Sequence, residues 1–351
     1  MEDIKRKILQ IKKIAKKKKL ISSFVIGNTS KPFKKKYYLT PIRFNSKVIF
    51  FGIVVYDEKV VTKIIKFVDG KIDNIFVDVE KKIPNKYSID TVTANLHRSV
   101  GEHVNKSKLY TYKGNDIVVD AVDTFLSFNF DKYLTGISGR KIAILGAGNI
   151  GYKLALKLVE RGANVFLTRR DTKKLNCLVN SINLIKPKNT ISKAYGFSNN
   201  LKASKNSEVL IASNSGKKII SKKIVKSLNK RSLIIDVGKG TIFLDAYNEA
   251  KKMNIKIYRA DVSIILENLI TNIHNLETLH KLGLGRKKIF GEKIVSGGIL
   301  AEKNEFIVDN INKPKVFYGI ANGSGDFNLG IKKKDNLYKR ASKFKKKLNL
   351  L

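Results

Sequence analysis

A chain of 351 residues is long enough for two domains with cores of their own, and its single cysteine, Cys177, excludes an internal disulfide and any cysteine-based zinc site. Its formal net charge of +41 has the sign of a nucleic-acid binder, but 59 of the 70 cations are lysine and only 11 arginine, the bias of an AT-rich coding sequence. The charge therefore predicts attraction of polyanions and faster arrival of anionic ligands, without assigning the fold to nucleic acid.

Residues 3–19 place Ile4, Ile8, Ile11 and Ala15 at helical spacing among lysines. This predicts a basic amphipathic helix whose narrow apolar stripe either packs on the domain or lies on an anionic membrane surface. From residue 21 strands and helices alternate. Strands are predicted at 21–26, 48–55 and 75–79, with a helix at 58–68 between the last two, which is a βαβ unit and implies a parallel sheet. An apolar segment at 117–128 leads out of this first domain.

The stretch 139–170, GRKIAILGAGNIGYKLALKLVERGANVFLTRR, then reads as strand, glycine turn, helix and second strand. Gly146, Gly148 and Gly151 form GxGxxG: the first glycine permits the tight turn, the second admits a pyrophosphate, the third lets the helix pack on its strand. With Ala147, Asn149 and Ile150 they are the candidate cofactor cradle, the N–H groups of the helix start facing the phosphates. At the end of the second strand, where NAD sites usually carry a carboxylate, stand Thr168, Arg169 and Arg170; two guanidinium groups and a hydroxyl suit the 2′-phosphate of NADP, with Asp171 the dissenting residue.

Further strands at 209–212, 233–237 and 255–258 alternate with helices at 173–184, 219–228 and 245–253, giving five or six strands in a doubly wound sheet. A long apolar helix is predicted at 262–282. Beyond it, 283–351 contains FIVD, VFYGIANGSGDF and a lysine-rich tail, with no element assigned. The fold class expected is α/β: a doubly wound Rossmann nucleotide domain (131–262) with a smaller N-terminal α/β substrate domain (21–130). A basic helix (1–20) precedes them, and a helix returning to the first domain plus a C-terminal extension (263–351) follows.

The order of these pieces resembles the shikimate dehydrogenase family over roughly residues 21–270. The matching stretches are VIGNTSKP (25–32), FVDVEKK (76–82), VDT (122–124), TRR (168–170) and DVGKGTIFLDAYNEAKK (236–252). The resemblance implies a catalytic lysine after a substrate-domain strand, here Lys82, and a catalytic aspartate opening the helix into the nucleotide domain, here Asp123. It also implies NADP. The polar residues that hold a polyhydroxylated ring in that family are largely absent, which implies another substrate. Methylene-tetrahydrofolate and methylene-tetrahydromethanopterin dehydrogenases resemble the same architecture, and a dinucleotide-binding protein without catalysis is a further alternative.

A lysine in a cleft, tuned by a carboxylate, supplies the proton that accompanies hydride transfer, so Lys82 with Asp123 is the expected acid–base pair of an NADP-dependent oxidoreductase. His97-Arg98 offers a guanidinium to a substrate carboxylate. The histidine pairs His97/His103 and His274/His280 are each spaced six apart, which does not put two rings on one helix face, and no metal site is expected. The partners expected are a small-molecule substrate, with nucleic acid or anionic membrane reached only through the basic termini; a homodimer is left open. No apolar run approaches the roughly 18 residues that span a bilayer, and lysines occupy the start of the chain, so a cytoplasmic location is expected.

Overall fold

The computed structural model describes residues 1–30, 35–83, 95–214 and 216–351. By internal contacts the chain divides into two units, 1–267 and 268–351. The first unit contains both expected α/β sheets.

Its N-terminal part runs α1 (Glu2–Lys18), β1 (Ile21–Asn28), β2 (Tyr37–Leu39), β3 (Arg43–Phe44), β4 (Val48–Val55), α2 (Glu58–Val68), β5 (Asn74–Asp78), α3 (Leu96–Gly101), β6 (Lys108–Tyr112) and α4 (Gly114–Phe130). Strands β1, β4 and β5 are apolar on both faces, so they are buried from both sides and pair in parallel in the order β4-β1-β5-β6, with β2 and β3 antiparallel to β4. A Cβ at Gly52 would lie 2.1 Å from the Val25 carbonyl oxygen, which leaves glycine the only side chain that lets β1 and β4 approach there. Ile4, Ile8 and Ile11 of α1 are buried in this core, so the isoleucine stripe is spent on the domain rather than offered to a lipid surface. Asp57 caps α2 by accepting from Lys59 N at 3.0 Å.

The nucleotide half continues with β7 (Lys141–Leu145), α5 (Asn149–Glu160), β8 (Asn164–Thr168), α6 (Thr172–Ile185), β9 (Ala194–Phe197), α7 (Asn200–Ser204), β10 (Val209–Ala212), α8 (Lys222–Lys226), β11 (Leu233–Asp236), α9 (Leu244–Lys252) and β12 (Lys256–Arg259). All six strands are parallel, in the order β12-β11-β10-β7-β8-β9. That is the doubly wound order, and its direction reverses between β7 and β10, where such sheets open a crevice at the carboxyl ends of their strands. The fold is therefore an α/β doubly wound Rossmann domain with an N-terminal α/β domain.

Helix α10 (Ser263–Leu282) leads into β13 (Arg286–Ile289), β14 (Glu292–Ser296), β15 (Phe306–Val308), β16 (Phe317–Ile320) and α11 (Asn336–Leu348). The second unit is thus a four-stranded mixed sheet, β13-β14-β15-β16. Ile294, Phe306 and Val308 meet Ala341 and Phe344 of α11 on one face, with the Phe306 and Phe344 ring centroids 5.3 Å apart. Val295 and Ile307 point to the other face, toward Ala301 and Ala321. Among the described residues, no helix is long and apolar enough to cross a membrane.

Candidate functional site

The glycine turn lies at the crevice. Gly146 takes φ +113°, a left-handed region that favours glycine, and the N–H groups of Gly146 and Ala147 donate to the Thr168 carbonyl at 3.2 and 2.8 Å, pinning the turn to the end of β8. A Cβ at Gly151 would stand 2.2 Å from the Gly146 carbonyl oxygen, which fixes the close contact of helix and strand. At Gly148 a Cβ would meet no atom within 4 Å. The three positions thus divide as the motif requires: one turns, one packs, and the middle one faces open space.

Helix α5 begins beside that space. Its first intrahelical bond runs from Tyr152 N to Gly148 O at 2.9 Å, so the N–H groups of Asn149, Ile150 and Gly151 lie ahead of the helical ladder. With the helix dipole they form a ready anion site. Ser213, just past β10, braces the turn from the other side by donating to Gly146 O at 2.6 Å.

The end of β8 separates its polar residues. Thr168 is buried, Arg169 donates to the Ala147 carbonyl and so ties the strand end to the glycine turn, and Arg170 is exposed. Asp171 is engaged as the N-cap of α6, accepting from Lys174 N at 3.0 Å.

In the N-terminal sheet a second polar cluster forms at the carboxyl ends of the strands. Beyond β5 the chain turns tightly, Lys82 N donating to Glu80 O at 3.0 Å, and brings the Lys82 amine back onto the strand end. Lys82 Nζ donates to Asp78 Oδ2 at 2.8 Å and stands 2.9 Å from Glu80 Oε2. Asp78 Oδ1 accepts from Gly114 N at 3.0 Å and Glu80 Oε2 from Asn115 N at 2.6 Å, so these carboxylates also hold the amino end of α4. A Cβ at Gly114 would lie 2.5 Å from Asp78 Oδ2 and 2.9 Å from Lys82 Nζ, which explains the glycine. Asn28, at the end of β1, donates to the carbonyls of Asp78 and Glu80 at 3.2 and 2.9 Å and keeps a buried Oδ1 without a partner. Burial first, and then the Asp78 and Glu80 charges, push the Tyr112 phenol well above its ordinary range, so it faces this cluster protonated.

The two clusters are joined. Asn115 Nδ2 donates to Asn149 Oδ1 at 3.2 Å, so one residue binds both the Glu80 carboxylate and the first residue of α5. Behind it α4 and α5 run parallel, residue for residue. Lys153 pairs with Asp116, Lys157 with Asp120 at 2.6 Å, and Arg161 with Asp123, its NH2 group donating at 3.0 Å and its Nε making a 2.7 Å ionic contact. Asp120 above all holds the Lys157 amine above its ordinary pKa.

This arrangement corrects the expected pair of Lys82 and Asp123. Helix α4 starts at Gly114, not beside Asp123, so Asp123 sits nine residues in, about 14 Å further along the axis. It faces α5, buried, with Arg161 and Lys157 as its cations. Lys82 instead finds Asp78 and Glu80, four and two residues before it. The D-x-E-x-K spacing in VDVEKK was the available signal, since the first carboxylate ends the strand and the chain then folds back. Arg98, exposed on α3, pairs with Glu102 at 2.8 Å. Among the described residues no group of three His, Cys, Asp or Glu could hold a metal.

Asp123→Asn should consequently act on stability. Leaving the Arg161 guanidinium without its carboxylate is expected to cost about 1–3 kcal/mol in denaturant unfolding, with turnover per folded molecule unchanged. A loss of turnover at unchanged stability would return Asp123 to the chemistry.

Residues 141–240 match the family model described as NADP oxidoreductase, coenzyme F420-dependent, and this stretch is an oxidoreductase-type nucleotide domain. No curated protein matches the chain. Among solved structures it is similar to the A chain of dipicolinate synthase from Bacillus subtilis, with 16% identity over 74% of this chain and 97% of that one at a TM-score of 0.37. It is similar to a shikimate dehydrogenase in complex with NADP+, with 16% identity over 69% of this chain and 85% of that one at a TM-score of 0.38. A third similarity is to L-tryptophan dehydrogenase from Nostoc punctiforme, with 10% identity over 68% of this chain and 69% of that one at a TM-score of 0.37.

Proposed function

We propose that residues 1–267 form an NADP-dependent oxidoreductase that moves a hydride between the nicotinamide and a small carbonyl or alcohol substrate. The observation that carries this reading is the continuous polar link from Lys82 through Glu80 and Asn115 to Asn149. It supports assigning the proton transfer to the Lys82 amine, which this link connects to the helix start that suits a pyrophosphate. Residues 21–130 would then be the substrate domain and 131–262 the nucleotide domain.

The open space at Gly148 and the N–H groups of Asn149, Ile150 and Gly151 fit a pyrophosphate, and Arg170 fits a 2′-phosphate, with Thr168 and Arg169 holding the strand end in place. Bound NADPH supplies the hydride. Lys82 handles the proton: in reduction its ammonium donates to the substrate oxygen as the carbon accepts the hydride, and in oxidation the amine takes that proton back. Asp78 and Glu80 orient the amine, and Asn28 Oδ1 is a free acceptor for a substrate N–H or O–H.

Cofactor choice is tested by calorimetric titration of NADPH and NADH into wild type and Arg170→Ala. NADPH should bind wild type more tightly, by about 10- to 100-fold for one charge-assisted phosphate contact, and the preference should largely vanish in the variant. Equal affinity of wild type for the two cofactors would remove the NADP assignment. NADPH binding without oxidation across a range of carbonyl metabolites would favour a dinucleotide-binding protein without catalysis.

A further inference from the structure

The second unit holds a cavity of about 590 Å³ on the sheet face that Ile307 presents, away from α11. Its apolar walls are Leu279, Leu284, Leu300, Ile307, Tyr318 and Phe327. The backbone gives way where these walls stand. A Cβ at Gly297 would lie 3.0 Å from the Tyr318 ring, one at Gly298 3.0 Å from Leu284, and one at Gly319 2.5 Å from the Phe327 ring. Leu300 is 69%, Tyr318 51% and Phe327 42% exposed, an apolar surface left open to solvent.

The charged groups in the lining are Asp309 and Asp326; no Lys or Arg contributes, although the chain carries 70 of them against 29 acidic residues. Asp309 is fixed through one oxygen, Oδ1 accepting from the N–H groups of Lys315 and Val316 at 2.9 and 3.0 Å. Asp326 Oδ1 accepts from Phe327 N at 2.7 Å. Among the described residues, the second oxygen of each receives no hydrogen bond, and neither carboxylate has a cation within ion-pair distance. Two positioned carboxylates with uncommitted oxygens, set against two aromatic rings in an apolar hollow, complement a cation with a hydrocarbon body.

We propose that this cavity of the second unit is a further ligand site, for a small organic ammonium with an aromatic or branched aliphatic body. The carboxylates would take the ammonium, and Tyr318 and Phe327 its flanks. An anion of the same shape would meet two like charges and be rejected, despite the positive charge of the chain as a whole.

The test uses the full chain and three probes of similar shape: 2-phenylethylammonium, 2-phenylethanol and 3-phenylpropanoate, titrated by calorimetry and ligand-observed NMR. The ammonium should bind saturably, the alcohol about tenfold more weakly for want of the charge-assisted bond, and the carboxylate not at all. Asp309→Asn keeps the acceptor for the two N–H groups and should weaken the ammonium by about the same factor. Leu300→Lys, at an exposed position that tolerates the change, places an ammonium at the mouth and should abolish binding while circular dichroism and NADPH affinity stay as in wild type. Absence of saturable ammonium binding, equal binding of the three probes, or unchanged binding to Leu300→Lys would each overturn the proposal.

Discussion

Lys82→Met should lower turnover by about 10² to 10⁴, the usual contribution of a general acid–base group, while NADPH affinity stays as in wild type. The amine lies at the end of the N-terminal sheet, and its contacts are to Asp78 and Glu80, not to the glycine turn, so removing it subtracts no phosphate contact. It does leave two carboxylates facing each other, Asp78 being almost fully buried, so the same variant should unfold more readily. Lys82→Arg separates the two effects. A guanidinium can keep the ion pairs but does not give up its proton near neutrality, so stability should return while turnover stays low. Recovery of turnover by arginine would reduce Lys82 to a structural cation, and the proton would have to come from elsewhere.

Gly148→Val should weaken dinucleotide binding by about 10² to 10⁴, the equivalent of two lost charge-assisted bonds between backbone N–H groups and pyrophosphate. The prediction is unusual in that the protein without cofactor should hardly notice: a Cβ there meets no atom within 4 Å. Gly151→Ala is the contrast. Its Cβ would be driven against the Gly146 carbonyl oxygen at 2.2 Å, so that variant should lose stability whether or not the cofactor is present. Thermal unfolding with and without NADPH distinguishes them: Gly148→Val should keep its own melting temperature and lose the shift that the ligand produces. A Gly148→Val protein that still gains stability from NADPH would move the phosphate site away from this turn.

The nucleotide motif was legible in the sequence because it is local. Strand, turn and helix are consecutive, and Gly146 and Gly151 answer to backbone constraints within the turn itself. The apolar runs of β1, β4, β5 and β7 were equally plain, since strands buried on both faces carry no polar alternation to confuse them. The edge strands β2 (YYL), β6 (KLYTY) and β9 (AYGF) were not seen, being short and partly exposed, whereas β12, also at an edge, was expected at 255–258. The sheet of the second unit was missed as well, although the apolar runs FIVD and VFYGIANGSGDF contain its strands β15 and β16. Lys82 was reached from its place after a buried strand, but its carboxylates were not. The apolar segment 117–128 marked the body of α4 and not its polar first turn, so Asp123, taken for the helix opening from the family resemblance, lies inside a helix that Gly114, Asn115 and Asp116 open. Which carboxylate meets which cation depends on how two parallel helices register, and no short window of sequence contains that.

The polar link from Lys82 to Asn149 is the centre of this account, and a crystal structure of the protein grown with NADPH tests it most directly. The pyrophosphate should lie against Gly148 and the N–H groups of Asn149 and Ile150, the 2′-phosphate should contact Arg170, and the nicotinamide should extend toward the Lys82 amine, with room between them for a small substrate. A dinucleotide bound with its nicotinamide directed away from Lys82, or bound at another place on the chain, would contradict it.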